Sequence, residues 1–319
     1  MATEVAIEID GPLIVVQAKS EAGTFGYLGL STVARVEGVR HGRVLYKVNG
    51  ERFAVREPVS IADPTTSWDD KKEGLAVRYH DAVLRVQRAL PGHDVRLITV
   101  RAFAERPDFT EQRDHLDFAV MRTPEPAQLN IDMAWAIPRG LSAGVDSASF
   151  GENPGSTIII DIGASQTWVV RFKDDDEGSI DPSATRAIPL GWLDVAKQID
   201  ALLSAAHGFN GIRAGAVVNL LAEGVYRLRG DQLRADQLLG VATRSLAKEI
   251  KSALAEVGGD DAVVIVGLGA LHVAAHLDQG LDGPRVRVPV APAFSNVRGA
   301  LGLVEPLTRN AQQSGNAAG

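Results

Sequence analysis

Thr157-Ile158-Ile159-Ile160 is an apolar run that ends in Asp161-Ile162-Gly163-Ala164 and continues through Ser165-Gln166-Thr167 into Trp168-Val169-Val170. It places a carboxylate near the end of a strand with a glycine two residues on. That pairing suits phosphate and cation chemistry. Glycine accepts positive φ and carries no Cβ, so backbone amides and the Thr167 hydroxyl can approach a phosphate while Asp161 holds a hydrated cation. Asp10-Gly11 repeats the pairing near the start, and Gly267-Leu268-Gly269 is a third glycine-bearing turn after the apolar run Ala262 to Val266. The same letters also fit plain β-hairpins with polar turns, and the residues alone leave both readings open.

These turns need strands to hold them, and the sequence supplies the strands. Val5 to Ile9 and Leu13 to Ala18 read as a hairpin around Asp10-Gly11, and Arg43 to Val48 with Arg52 to Val55 as a second one around Asn49-Gly50. Leu75 to Leu90 has a helical apolar face closed by Pro91-Gly92, and Val95 to Val100 is an apolar strand after it. Gln128 to Ala134 gives another short strand, and Glu105 to Asp117 is charged helix or loop. In the second half, Leu193 to Ala206 is an amphipathic helix introduced by Gly191, and Gln237 to Val257 is one long helical segment stopping at Gly258-Gly259. Asp174 to Gly178 is an acidic solvated turn, and Gln312 to Gly319 is a small, polar, disordered tail. The halves share a form, each opening on an Asp-bearing hairpin, as an internal duplication would.

Composition narrows the classes. The chain has 319 residues, 45% of them hydrophobic and 23% charged, enough for a large core in two lobes. A net charge of −7 provides no general basic field for a nucleic-acid backbone, so direct nucleic-acid binding is not expected. The absence of cysteine excludes disulfides, thiolate metal sites and cysteine nucleophiles. His272 and His276 stand four apart and read as helix surface or packing rather than as metal ligands. No apolar window is long enough for a membrane span and no signal peptide opens the chain, so a cytoplasmic protein without a membrane partner is expected.

The order of these elements resembles the ParM/StbA plasmid-segregation proteins of the actin-like ATPase superfamily. The resemblance rests on the three turns together with Val48-Asn49-Gly50-Glu51-Arg52-Phe53, Pro58-Val59-Ser60, Ala82-Val83-Leu84, Leu90-Pro91, Ile137-Pro138-Arg139-Gly140, Pro189-Leu190-Gly191 and Asn296-Val297-Arg298-Gly299-Ala300. It implies an α/β, actin-like (ribonuclease H-like) two-lobed fold built of duplicated βββαβα-type subdomains. Lobe I would span 1–150, lobe II 151–308, and the tail 309–319.

What the resemblance implies about function is ATP or GTP with Mg²⁺ between the lobes, and self-association into filaments. It also implies DNA segregation through a DNA-binding adaptor protein. Carried over by position, the nucleotide-binding residues would be Asp10, Gly11, Asp161, Gly163, Thr167, Gly267 and Gly269, with Asp10 and Asp161 on the metal. The chain departs from the family pattern at several points. Pro12 follows the first turn, which lacks the family's lysine; Ala164 and Leu268 stand at glycine positions; and Trp135 or Ala136 stands where a water-orienting glutamate is expected. A possible ATPase or GTPase is therefore set against a pseudo-actin that hydrolyses nucleotide weakly or not at all and works through protein contacts. A sugar-kinase or chaperone relative is disfavoured by the short length.

Overall fold

The computed structural model describes residues 2–36, 45–48, 51–56, 72–90, 94–101, 121–123, 130–148, 157–172, 180–207, 214–228, 231–234, 236–257, 262–277 and 286–309. Asn49-Gly50, Pro58 to Ser60, Pro91-Gly92, Glu105 to Asp117, Asp174 to Gly178, Gly258-Gly259 and the tail from Gln312 lie outside them.

Two five-stranded sheets organise the chain. The first runs β3-β2-β1-β7-β9, from β1 (Thr3–Asp10), β2 (Leu13–Ser20), β3 (Gly23–Leu30), β7 (Asp94–Arg101) and β9 (Asn130–Pro138). The second runs β12-β11-β10-β15-β16, from β10 (Thr157–Ile162), β11 (Thr167–Arg171), β12 (Arg186–Ile188), β15 (Ala262–Gly267) and β16 (Val286–Arg287). In each sheet three antiparallel strands are followed by two parallel ones, so the strand order repeats. The duplication legible in the letters is therefore present in the topology. A four-stranded sheet of β4 (Thr32–Arg35), β5 (Leu45–Val48), β6 (Glu51–Arg56) and β8 (Met121–Thr123) accompanies the first, and β13 (Val225–Leu228) pairs with β14 (Asp231–Arg234).

Strand periodicity decides which face each helix covers. Val5 and Ile7 of β1 pack with Ile14, Val16 and Leu97 against Tyr79, Ala82, Val83 and Val86 of α1 (Lys72–Ala89). The alternate residues Ala6, Leu13, Val15 and Ile98 join Val297 and Ala300 of α8 (Ser295–Gly302). In the second sheet Ile158, Ile160 and Ile162 face Val195 and Ile199 of α3 (Trp192–His207) and Leu246 and Ile250 of α6 (Arg244–Val257). On the reverse face Ile159, Val170 and Val264 meet Ala143 of α2 (Leu141–Ala148).

Two helices thus cross over. The helix α2 comes from the first half of the sequence yet packs on the second sheet, while α8 comes from the end and packs on β1, β2 and β7. They lie unusually close, since a Cβ at Gly299 would overlap the Ser142 carbonyl oxygen. Only glycine permits that approach. Arg298 completes the pair by gripping Asp146 through Nε at 3.0 Å and Nη2 at 2.7 Å.

The segment Gln237 to Val257 is two helices rather than one: α5 (Asp236–Ala242) and α6 separate at Thr243. The fully buried Thr243 hydroxyl donates to the Leu239 carbonyl at 2.7 Å, a back-bond that bends helices. His276, on α7 (Ala270–Leu277), places Nε2 3.1 Å from that hydroxyl. The remaining helix, α4 (Ala214–Glu223), buries Val217, Val218, Leu220 and Leu221.

Candidate functional site

Period-two alternation sends Glu8 and Asp10 to the same face of β1 as Ala6, toward α8. It sends Asp161 to the face of β10 shared with Ile159, toward α2. The two acidic strand ends therefore converge on the place where the crossing helices meet. Arg139 is there already. It follows β9 directly, precedes α2, and is buried with its side chain about 6% exposed.

Every edge of its guanidinium is engaged. Nε donates to Asp161 Oδ2 at 2.9 Å and Nη2 to Asp161 Oδ1 at 2.7 Å, a two-point grip on a fully buried carboxylate. Nη1 donates to Asp10 Oδ2 and lies 3.1 Å from Glu8 Oε1. Asn296 of α8 closes the ring: its Nδ2 donates to Asp161 Oδ2 at 3.0 Å, and its Oδ1 accepts from the Ser142 hydroxyl at 3.0 Å.

The two acidic turns also touch one another. Asp10 Oδ2 accepts the Ala164 amide at 2.6 Å, and a Cβ built on Gly11 would come within 3.1 Å of the Ala164 methyl. The first turn is Gly11-Pro12, not Asp10-Gly11, because Asp10 pairs with Leu13 as the last residue of the strand. Gly11 has φ of +55°, and the fixed negative φ of Pro12 rules out a type I′ turn, which needs positive φ at both central residues. Arg78 of α1 holds this turn from behind, donating to the Gly11 carbonyl at 2.7 Å and the Ser31 hydroxyl at 3.0 Å.

The second turn closes on itself, Gly163 N donating to Gln166 O at 2.9 Å. Its outer carbonyls receive the start of α3, with Trp192 N bonded to Gly163 O at 2.8 Å and Leu193 N to Ala164 O at 3.0 Å. Thr167 is fully buried and donates its hydroxyl to Leu190 O at 2.8 Å, which ties the Pro189-Leu190-Gly191 segment to the second turn.

The third turn borders the second, with Gly267 paired to Ile162 across β10 and β15. Gly267 and Gly269 take φ of +94° and +90°, and Leu268 packs into the core. Their turn lines a cavity of about 330 Å³ that also reaches Leu28, Asn219, Glu223 and Phe294.

No family model and no curated protein matches the sequence. Solved structures match along its whole length. An archaeal actin homologue in complex with ADP shares 15% identity at a TM-score of 0.68, over 96% of this chain and 100% of the other. ParM from Bacillus thuringiensis with ATP shares 13% at 0.68, over 96% and 99%. A 15-stranded ParM filament from Clostridium botulinum shares 14% at 0.62, over 95% and 98%. The chain has the actin-like fold.

Within that actin-like frame the electrostatics follow from burial. Burial pushes the Glu8 carboxyl up to about 8, with Asp161 and Asp10 adding to the effect and Arg139 opposing it, so Glu8 keeps its proton at neutral pH. For Arg139 burial works against the charge, but Asp10, Asp161 and Glu8 outweigh it and hold the guanidinium well above its ordinary value. The cluster is therefore one permanent cation among two aspartates and a glutamic acid.

The actin-like fold implies a metal–nucleotide group across these turns, and the residues present do not fit one. The pair Asp10 and Asp161, expected on the metal, instead shares the Arg139 guanidinium. The Ala164 amide, which a phosphate oxygen would need, is donated to Asp10. A magnesium ion needs a near-octahedral oxygen shell, and the donors of Arg139 fill that position with N–H groups. Trp135 and Ala136 lie within β9; Trp135 packs against the core and neither side chain has a carboxylate to orient water.

The residues that form this cluster besides the aspartates, Glu8, Arg139 and Asn296, were not singled out as site residues from the sequence. A signal existed for two of the three. Glu8 interrupts an apolar strand, and Arg139 sits between a proline and a glycine at a strand-to-helix junction. Polar groups at such core positions must be paired.

Proposed function

We propose that this chain is a self-associating actin-like protein that assembles head to tail into filaments and serves DNA segregation of the plasmid-partition kind. The observation that carries this reading is the full-length correspondence with the Clostridium botulinum ParM filament subunit. The acidic turns meeting between the sheets add to it. A head-to-tail contact that does not close on itself propagates, and a polymer results. With a net charge of −7 the filament would reach DNA through a basic adaptor rather than directly, and it would act in the cytoplasm.

Sedimentation at high speed, followed by electron microscopy of the pellet, tests the assembly. Filaments support the reading. A protein that stays in the supernatant at every concentration and nucleotide condition overturns it.

A further inference from the structure

We propose that Arg139 is a built-in replacement for the metal–nucleotide group, so that the two acidic turns are latched together by the protein itself and the subunit reaches its closed state without ligand. Three observations carry this inference. The guanidinium bonds acids of strands in both sheets, Asp10 at the end of β1 and Asp161 one residue before the end of β10. The turns bond directly across the same point, from the Ala164 amide to Asp10. The cluster continues without a break into the crossing helices, because Asn296 links Asp161 to Ser142. Asp146–Arg298 joins the same two helices further along.

A divalent cation and an arginine can do the same electrostatic work between two aspartates, but they differ in permanence. A metal–nucleotide group exchanges with solution and changes when its phosphate is cleaved. A side chain does neither. The consequence for the assembly proposed above is that filament growth is set by protein concentration or by a partner rather than by a nucleotide cycle. The latch rests on that assembly reading only for what it regulates.

Titration of Mg·ATP and Mg·GTP against the intact protein by calorimetry, with thermal melts alongside, tests the latch directly. No heat and no rise in melting temperature up to millimolar nucleotide is the expected result. Micromolar binding that is weakened by Asp161→Asn overturns the inference. Manganese, read by its paramagnetic resonance signal, supplies an independent arm. The wild type leaves it free, whereas Arg139→Ala gains binding at the vacated position among Glu8, Asp10 and Asp161. If Arg139→Ala does not fold, Arg139→Gln takes its place. A folded variant that binds no manganese overturns the claim that the guanidinium occupies a cation's place.

Sedimentation separates the two proposals. Equal pelleting with EDTA and with Mg·ATP supports both. Pelleting only with Mg·ATP overturns the latch and leaves the assembly standing. No pelleting removes the assembly, and the titrations still decide the latch.

Discussion

Arg139 grips Asp161 by two parallel hydrogen bonds, 2.9 and 2.7 Å long, although one residue follows the edge strand of the first sheet and the other lies in the middle of the second. Its remaining nitrogen reaches Asp10 and Glu8. One side chain thereby joins acidic residues of both sheets.

Removing that side chain leaves buried carboxylates without a counter-charge. Arg139→Ala is expected to lower stability by about 3–5 kcal/mol, the usual cost of breaking a buried ion pair from one side. Arg139→Lys keeps the charge but loses the two-point geometry, for a loss of about 1–3 kcal/mol. Urea unfolding of the three proteins under one buffer checks the order wild type, lysine, alanine.

Glu8 gives the protein a pH dependence of definite sign. Its folded pKa, about 8, lies above the ordinary 4.5, so the unfolded chain releases this proton first as pH rises. The contribution is complete below about 4.5 and is lost progressively up to about 8, amounting to a few kcal/mol at most. Glu8→Gln should remove this fall, and chemical denaturation at a series of pH values compares the two slopes. Identical slopes would show that Glu8 is ionised in the folded protein.

Asn296→Asp replaces the amide that donates to Asp161 with a like charge about 3 Å away. A loss of about 2–4 kcal/mol at neutral pH is expected, shrinking as the solution is acidified and the new carboxyl protonates. The melting temperature at neutral and at mildly acidic pH measures the difference.

Two glycines in helices should respond with opposite sign. At Gly299 an added methyl meets the Ser142 backbone and must push α2 and α8 apart, costing about 1–3 kcal/mol. At Gly240, in α5, nothing lies within 4 Å, and Gly240→Ala should stabilise by about 0.5–1 kcal/mol. Thermal unfolding of both variants gives the contrast.

Much of this architecture is legible in the letters because strands announce themselves locally. The alternation in Val5 to Ile9, the apolar run before Asp161 and the turn at Gly267 each set an element and its direction, and all three are found in place. Thr243 was not legible, since a threonine inside a helical pattern breaks it only when its hydroxyl is buried against its own backbone. In the letters Arg139 reads only as part of the Ile137-Pro138-Arg139-Gly140 segment. Its role depends on three carboxylates more than 20 residues away in either direction, and no local pattern encodes such a meeting. The same holds for Thr167, whose hydroxyl is taken by a carbonyl that only the folded Pro189 to Gly191 segment supplies.

The crossing of α2 and α8 also bears on how the protein is made. The first sheet emerges from the ribosome with one face bare, because the helix that covers β1, β2 and β7 begins only at residue 295. Until that helix arrives, Ala6, Val15 and Ile98 remain exposed on the nascent chain, and Asp161 lacks its asparagine. Arrival of that helix therefore seals both halves at once, and a chain released shortly before residue 295 would be incomplete in each of them.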